Sequence, residues 1–136
     1  IGNSQLKTAM TLRSPIINIR DIKKGEKVGY DGRAIASKDM KIATVYMGYA
    51  DGLPNNINDG TIVKINNQDA KVFGKVSMDV TTVDVTNIKN CKIEDWCVFF
   101  SPKHSINNLA SSNKLISYDL MIRIKSRVKR SYKNLV

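Results

Sequence analysis

The 136-residue sequence has no long apolar run. Its longest uninterrupted apolar stretch covers only residues 96–100, whereas a membrane-spanning helix needs about 20 apolar residues. The first ten residues, IGNSQLKTAM, also lack the basic segment followed by an apolar one that marks a secretory signal peptide. We therefore expect no membrane partner and a cytoplasmic location.

Cysteine is scarce as well. Cys91 and Cys97 are the only two cysteines, and neither belongs to a CxxC spacing or to a cysteine–histidine motif. We expect two reduced thiols rather than a disulfide framework or a zinc site, which again fits the cytoplasm.

Acidic residues are few, since 12 Asp and Glu against 22 Lys and Arg leave a net charge of +10. Such a domain could bind nucleic acid, or it could simply carry a solvated basic surface. The lysines are scattered, and no aromatic residues alternate with them as a base-stacking platform requires. A solvated surface is therefore favoured, although residues 123–133 are locally very basic.

Common catalytic motifs are missing too: the sequence contains no P-loop, GxGxxG, GxSxG or HExxH. The single histidine, His104, follows Ser-Pro-Lys in a polar loop and is predicted to be a surface residue rather than a catalyst. The spacing of Asp51, Asp79 and Asp84 matches no calcium or magnesium loop, so no metal site is predicted.

What is present is a pattern of short β-strands separated by turns. Strands are predicted at residues 14–20, 27–30, 41–47, 61–65, 70–73 and 95–100, and within 76–85. Residues 66–69 predict a hairpin loop, and only residues 105–112 and 117–123 could be helical, with a serine as N-cap in each. This predicts an all-β fold: a small barrel or sandwich of short, mostly antiparallel strands with one or two short helices near the C-terminus.

Four motifs add a resemblance to a known family. They are VGY at residues 28–30, GYADG at 48–52, GKVSMD at 74–79 and ISYD at 116–119. In this order and at these spacings, the chain resembles the C-terminal β-domain of alanine racemases from about Met10 to Tyr132. We accordingly expect residues 10–136 to form that domain and residues 1–9 to be the remnant of an interdomain linker in a longer protein.

The resemblance implies an enzyme that depends on pyridoxal 5'-phosphate and interconverts L- and D-alanine for peptidoglycan synthesis. In that family an N-terminal α/β barrel holds the cofactor on a lysine, and two chains pair head to tail. The β-domain of one chain then completes the active site of the other. Because the barrel is absent from this chain, we expect the chain alone to be inactive and to bind no cofactor.

Tyr30 carries the most specific implication, since it matches the tyrosine that acts as the second base of the family. Removing a proton from one face of Cα and delivering it to the other is difficult for a single base, so two bases are reasonable. The backbone of Met78 matches the contact to the substrate carboxylate. The substrate-access corridor is matched by Tyr49, Tyr118, Ile116, Lys75 and Asn55, and Tyr118 also matches a position near the cofactor phosphate.

Three positions depart from the family pattern. Asp31 stands where the family usually has glycine, and aspartate tolerates a left-handed backbone better than most residues. Asn55 and Lys75 stand where arginines are usual, and lysine keeps the charge without the bidentate fork. Asn55 and Lys75 leave open a related racemase for serine, lysine or another amino acid, or the soluble part of a membrane-bound relative. The net charge of +10 and the basic stretch 123–133 leave open, outside the family, a small basic barrel that binds nucleic acid.

Overall fold

A computed structural model describes residues 8–57 and 59–133. Within them the chain forms eight β-strands followed by two α-helices. The strands are β1 (Leu12–Ile22), β2 (Lys27–Val28), β3 (Ala34–Ile35), β4 (Met40–Val45), β5 (Ile62–Ile65), β6 (Gln68–Val72), β7 (Thr81–Asp84) and β8 (Trp96–Phe100). The helices are α1 (Ile106–Ser112) and α2 (Ser117–Arg123).

Six of the strands close into a barrel in the order β1-β4-β7-β6-β5-β8, and every pairing is antiparallel. β1 is long enough to pair with β4 along one half and with β8 along the other, and it has a bulge between Ile16 and Asn18. Closure leaves no free edge among these six strands. The all-β prediction is thus confirmed, and the observed form is the barrel with two short C-terminal helices.

The main core fills the barrel with alternate side chains from its strands. Val63 and Ile65 of β5 are buried, whereas the other two residues of the strand are half-buried, which is the period-2 pattern of a strand with one buried face. Leu109 of α1 and Leu120 of α2 join the same core. Both helices therefore pack against the barrel through their apolar residues.

A second, smaller core lies beneath the β2–β3 pair. Its buried members are Ile22, Val28, Ala36, Met40 and Ile42, with Phe73 packed against them. Val28 is the last residue of β2, so this core fixes the chain immediately before the VGY tyrosine.

Several local predictions are confirmed and others are wrong. The hairpin loop shrinks to Asn66 and Asn67, both with positive φ, between β5 and β6. Ser105 caps α1 by accepting a hydrogen bond from the N–H of Asn107 at 3.1 Å. Ser117, in contrast, is not the N-cap of α2, because the helix is preceded by Ile116 and has no side-chain cap.

Two further regions qualify the sequence predictions. The expected extended run to residue 30 ends at Val28, because the chain turns at Gly29. The predicted linker remnant, residues 1–9, lies largely outside the described residues. No helix in the described ranges is long and apolar enough to cross a membrane.

Candidate active site

Tyr30 stands at the start of a short 3-10 turn, residues Tyr30–Gly32, that joins β2 to β3. Gly29 before it has a φ of 82°, and Asp31 after it has a φ of 61°. Asp31 thus adopts the left-handed conformation that its position requires. The Tyr30 N–H donates to the Lys75 carbonyl at 3.3 Å, while the side chain is 51% exposed. The backbone is held and the hydroxyl-bearing ring is free to meet another surface.

Gly29 and Gly74 allow this turn to approach the segment that carries Lys75. A Cβ on Gly29 would lie 2.8 Å from the backbone nitrogen of Lys75 and 3.1 Å from the Cα of Gly74. Gly74 in turn donates its N–H to the Asp59 carboxylate at 2.8 Å. Because no side chain fits between the two backbones, the Tyr30 turn can pack against the barrel in one position only.

Two basic side chains surround this turn. The Lys75 ammonium lies 5.4 Å from the centroid of the Tyr30 ring, within the range of a cation–π interaction. Arg33 lies 3.8 Å from the Asp31 carboxylate. The carboxylate that departs from the family pattern therefore has a guanidinium beside it.

Tyr49 is carried by a second 3-10 turn, residues Tyr49–Asp51, which packs on the same segment. The Tyr49 N–H donates to the Ser77 carbonyl at 3.0 Å, and the Ala50 N–H donates to the Met78 carbonyl at 2.9 Å. A Cβ on Gly48 would lie 2.3 Å from both of these carbonyl oxygens. The GYADG motif thus packs directly on the VSMD motif.

Met78 occupies the loop between β6 and β7, and its side chain is 53% exposed. Its carbonyl is used by Ala50, but its N–H donates to no acceptor within residues 8–57 and 59–133. An N–H at an exposed loop with no internal partner is suited to bind a carboxylate oxygen of a ligand.

Arg127 links the two motifs and was missed by the sequence analysis. Its Nε lies 2.9 Å from Oδ1 of Asp51, and its Nη2 lies 2.8 Å from Oδ1 of Asp79. The hydrogen bond to Asp79 and the charge of Asp51 raise the pKa of the guanidinium. Two of the aspartates that were considered as metal ligands thus meet an arginine, and the third, Asp84, accepts from Thr86. The only sequence signal of Arg127 was the basic stretch around it.

Lys75 and Asn55 share a cleft next to the Tyr30 turn. The cleft has a volume of about 440 Å³, and Arg33 also lines it. The two positions that depart from the family's arginines therefore lie together, with a third residue, Arg33, that supplies a guanidinium.

Tyr118 and Ile116 lie at the beginning of α2 and are strongly exposed, at 71% and 62%. Within the described part of the chain, no hydrogen bond or ring contact joins them to Tyr30, Tyr49 or Met78. The far end of α2 does reach the GYADG motif, since a Cβ on Gly52 would lie 2.0 Å from the carbonyl oxygen of Arg123. The structure brings the other predicted residues together and leaves these two apart.

His104 is not the surface residue that the polar sequence around it predicts. It is only 8% exposed, because the chain folds back in a β-bridge with Ser101 and the imidazole Nε2 lies 3.2 Å from the Ile62 carbonyl. A cavity of about 660 Å³ beside it is lined by none of the predicted site residues. Its observed contacts are those of a structural residue.

The basic C-terminal stretch also has internal partners. Besides Arg127, Arg130 donates to the carbonyls of Ile124 and Lys125 at 3.0 and 3.4 Å. These two guanidinium groups hold the chain against itself, which leaves fewer cations of this stretch available for a polyanion.

Comparison with known proteins adds the family. Residues 9–132 match the family described as "Alanine racemase, C-terminal domain". This chain belongs to that family. It is 43% identical to alanine racemase of Alteromonas mediterranea over 131 residues, which are 96% of this chain and 37% of that protein.

Solved structures agree with the sequence match. The biosynthetic alanine racemase of Pseudomonas aeruginosa superposes with a TM-score of 0.92 at 33% identity, over 96% of this chain and 37% of that one. Alanine racemase of Bartonella henselae, whose structure contains covalently bound pyridoxal phosphate, gives a TM-score of 0.85 at 25% identity, over 90% and 34%. The chain therefore spans about a third of the length of the relatives it matches.

Proposed function

We propose that this chain is the C-terminal domain of a cytoplasmic, pyridoxal-phosphate-dependent alanine racemase that supplies D-alanine for peptidoglycan. In the proposed enzyme an N-terminal barrel binds the cofactor, two chains pair head to tail, and each β-domain offers Tyr30 to the active site of its partner. The observation that carries the proposal is the fixed and half-exposed position of Tyr30. Its backbone is fixed to Lys75, its ring is half exposed, and the family's other motifs flank the same segment.

Tyr30 would act as the base on one face of the substrate. A phenol that accepts and returns a proton needs a fixed position and a compensating positive charge while it is deprotonated. The Gly29–Gly74 contact supplies the position, and Lys75 over the ring supplies the charge. The second base on the opposite face would come from the barrel.

Met78 would orient the substrate. Its unpaired N–H is one donor for the substrate carboxylate, and its position is set by the hydrogen bond between its carbonyl and Ala50. A donor fixed in this way aligns Cα without a large entropic cost at each turnover.

Pyridoxal phosphate fits the residues that this chain contributes. The exposed Tyr118 hydroxyl could donate to a phosphate oxygen. The choice of cofactor is supported by the Bartonella henselae relative, whose structure contains covalently bound pyridoxal phosphate. When bound, the cofactor stabilises the electron pair left on Cα. This chain's part is to place the proton-carrying Tyr30 and the carboxylate-binding loop.

Substrate choice would be decided at the cleft of Lys75 and Asn55. Neither side chain offers the bidentate fork of arginine, so the cleft places a single ammonium and an amide where the family has two guanidinium groups. We propose alanine as the substrate because the relatives are named alanine racemase. Comparing D-alanine and D-serine formation by the full-length protein tests this choice, and faster racemisation of serine would overturn it.

The test of the function is Tyr30→Phe in a full-length protein that carries this domain. The change removes only the hydroxyl, so we expect racemisation to fall by about 100-fold or more, with unequal losses in the two directions. Tyr132→Phe removes another exposed hydroxyl, outside the site, and should leave the rate unchanged. The isolated domain mixed with pyridoxal phosphate should be inactive in the same assay. Equal rates for wild type and Tyr30→Phe would rule out the proposed role.

A further inference from the structure

We propose that Arg127 is a positioning residue of the active site, which restrains Asp79 and thereby the end of the Met78 loop that the hydrogen bonds from the Tyr49 turn do not hold. The three residues Arg127, Asp51 and Asp79 are called the Arg127 bridge below. The inference rests on the proposed function, because it concerns the substrate-binding loop of that function.

The bridge joins two carboxylates that are far apart in sequence. Asp51 ends the Tyr49 turn and Asp79 directly follows Met78, and the guanidinium of Arg127 approaches them at 2.9 and 2.8 Å. Both contacts are charge-assisted and use different nitrogens of one planar group. A lysine could reach only one of the two carboxylates with the same geometry.

The Asp51 end of the bridge is firmly anchored. Its carboxylate also accepts the Gly48 N–H at 2.9 Å, its carbonyl accepts the Lys125 N–H at 2.9 Å, and the residue is only 8% exposed. This end therefore behaves as the fixed point from which Arg127 reaches outward.

The Asp79 end is the less restrained one. Its side chain is 49% exposed. The loop is closed by the hydrogen bond from the Ser77 N–H to the Val80 carbonyl at 3.0 Å, and its Ser77 and Met78 carbonyls accept from the Tyr49 turn, but none of these bonds uses Asp79. The contact from Arg127 is the only hydrogen bond or ion pair in which the Asp79 side chain takes part within the described residues. Losing it would free the residue next to the Met78 N–H.

Tyr30 is held independently of the bridge, through the Lys75 carbonyl and the glycine contact. Removing Arg127 should therefore disturb substrate binding more than proton transfer. This difference separates a positioning role from a general loss of structure, which would impair both substrate binding and proton transfer.

The experiment compares Arg127→Met, Arg127→Lys and Lys129→Met in the full-length holoenzyme. Lys129 is exposed, carries the same charge on the same segment, and makes no ion pair in the part of the chain that is described. We expect Arg127→Met to raise KM for L- and D-alanine by about tenfold, while kcat changes by less than about threefold. Arg127→Lys should leave KM raised, and Lys129→Met should behave as wild type. Recovery by lysine, or an equal fall of kcat in Arg127→Met, would overturn the proposal.

A double mutant tests whether Asp79 transmits the effect. If Arg127 acts through Asp79, the single mutant Asp79→Asn should raise KM. The same substitution should raise KM little further in the Arg127→Met background, because the ion pair is already lost there. If the KM increase of the double mutant equals the product of the two single-mutant increases, Arg127 and Asp79 act separately, and the bridge is refuted.

Amide hydrogen exchange gives a readout that does not depend on racemase activity. In Arg127→Met, exchange should quicken at the Ser77, Tyr49 and Ala50 N–H groups, whose hydrogen bonds hold the loop, and stay unchanged in the β5–β6 hairpin. Unchanged exchange at these three N–H groups would reject the bridge. The proposed function fails by a different result, namely wild-type protein that does not racemise alanine. The exchange experiment tests the bridge in either case.

Discussion

Lys75 lies against the proposed base, and two of its features act on Tyr30. Its carbonyl receives the Tyr30 N–H, which any substitution at this position would preserve, and its ammonium lies over the ring at 5.4 Å. Substitution of the side chain therefore isolates the charge from the backbone contact.

At this residue we predict that Lys75→Met lowers kcat/KM about two- to fivefold in a full-length enzyme, since an exposed cation–π interaction is worth about 0.5–1 kcal/mol. Lys75→Arg should keep at least wild-type activity, because a guanidinium also stacks on aromatic faces. Steady-state kinetics in both directions provide the measurement. A Met variant as active as wild type would show that the ammonium does not assist Tyr30.

At the level of elements, the site depends on loops packed without intervening side chains. Gly48 has an ordinary extended backbone, with φ of −143°, so its requirement for glycine is one of space alone. Gly60 is the opposite case: its φ is 85°, and among the described residues no atom beyond its two chain neighbours lies within 4 Å of the point that a Cβ would occupy. Substitutions at Gly48 and Gly60 therefore measure separately the cost of close packing and the cost of backbone strain.

We predict that Gly48→Ala destabilises the chain by about 3 kcal/mol or more, because the added methyl would lie 2.3 Å from two carbonyl oxygens. Gly60→Ala should cost only about 1 kcal/mol, the strain of a left-handed alanine. Urea unfolding of both variants and wild type measures the difference. A smaller cost at Gly48 than at Gly60 would mean that the Tyr49 turn does not pack on Met78 as described.

The elements also show which features the sequence could predict. The Asn66–Asn67 turn and the Ser105 cap are local, because the residues that decide them are neighbours in the chain. The burial of His104 depends on the Ile62 carbonyl, 42 residues away, and the bridge from Arg127 to Asp79 spans 48 residues. No periodicity or turn signal records such contacts, so they became visible only in the fold.

For the candidate site too, the sequence motifs predicted some of the contacts and not others. The motifs predicted that Tyr30, Lys75, Tyr49 and Met78 belong together, and the structure places them along one backbone segment. Tyr118 shares a motif signal of the same strength but has no contact with them in the described residues. Its neighbours in the proposed enzyme would be supplied by the N-terminal barrel.

On the scale of the whole molecule, the charge excess makes acid the main threat to stability. The net charge of +10 at pH 7 rises toward the full 22 Lys and Arg as the carboxylates are protonated, and self-repulsion then disfavours the compact state. Among residues 8–57 and 59–133, the pKa is lowered for three carboxyl groups. Backbone N–H donation from Lys24 and from Lys92 is the main cause for Asp39 and Asp95, and the contact with Lys64 is the main cause for Asp69.

The sign of the effect follows from these lowered pKa values. A carboxyl group that ionises more readily in the folded state adds stability above its unfolded pKa, near 4, and this stability is lost as the pH falls through the folded pKa. Asp95 is the clearest case, since it accepts from the Lys92 N–H and from the Asn66 amide, both at 3.0 Å, and so joins the β5–β6 hairpin to the start of β8.

We therefore predict that Asp95→Asn lowers the urea midpoint at pH 7 and that its gap from wild type narrows toward pH 3. There the wild-type carboxylate begins to be protonated and loses the same interaction. Glu94→Gln is the matched control, because the neighbouring Glu94 side chain makes no hydrogen bond or ion pair in the described residues. Added salt should raise the midpoint of all three proteins at pH 3 by screening the excess positive charge. A gap that stays constant or widens on acidification would show that the ionised form of the Asp95 carboxyl group is not what stabilises the fold.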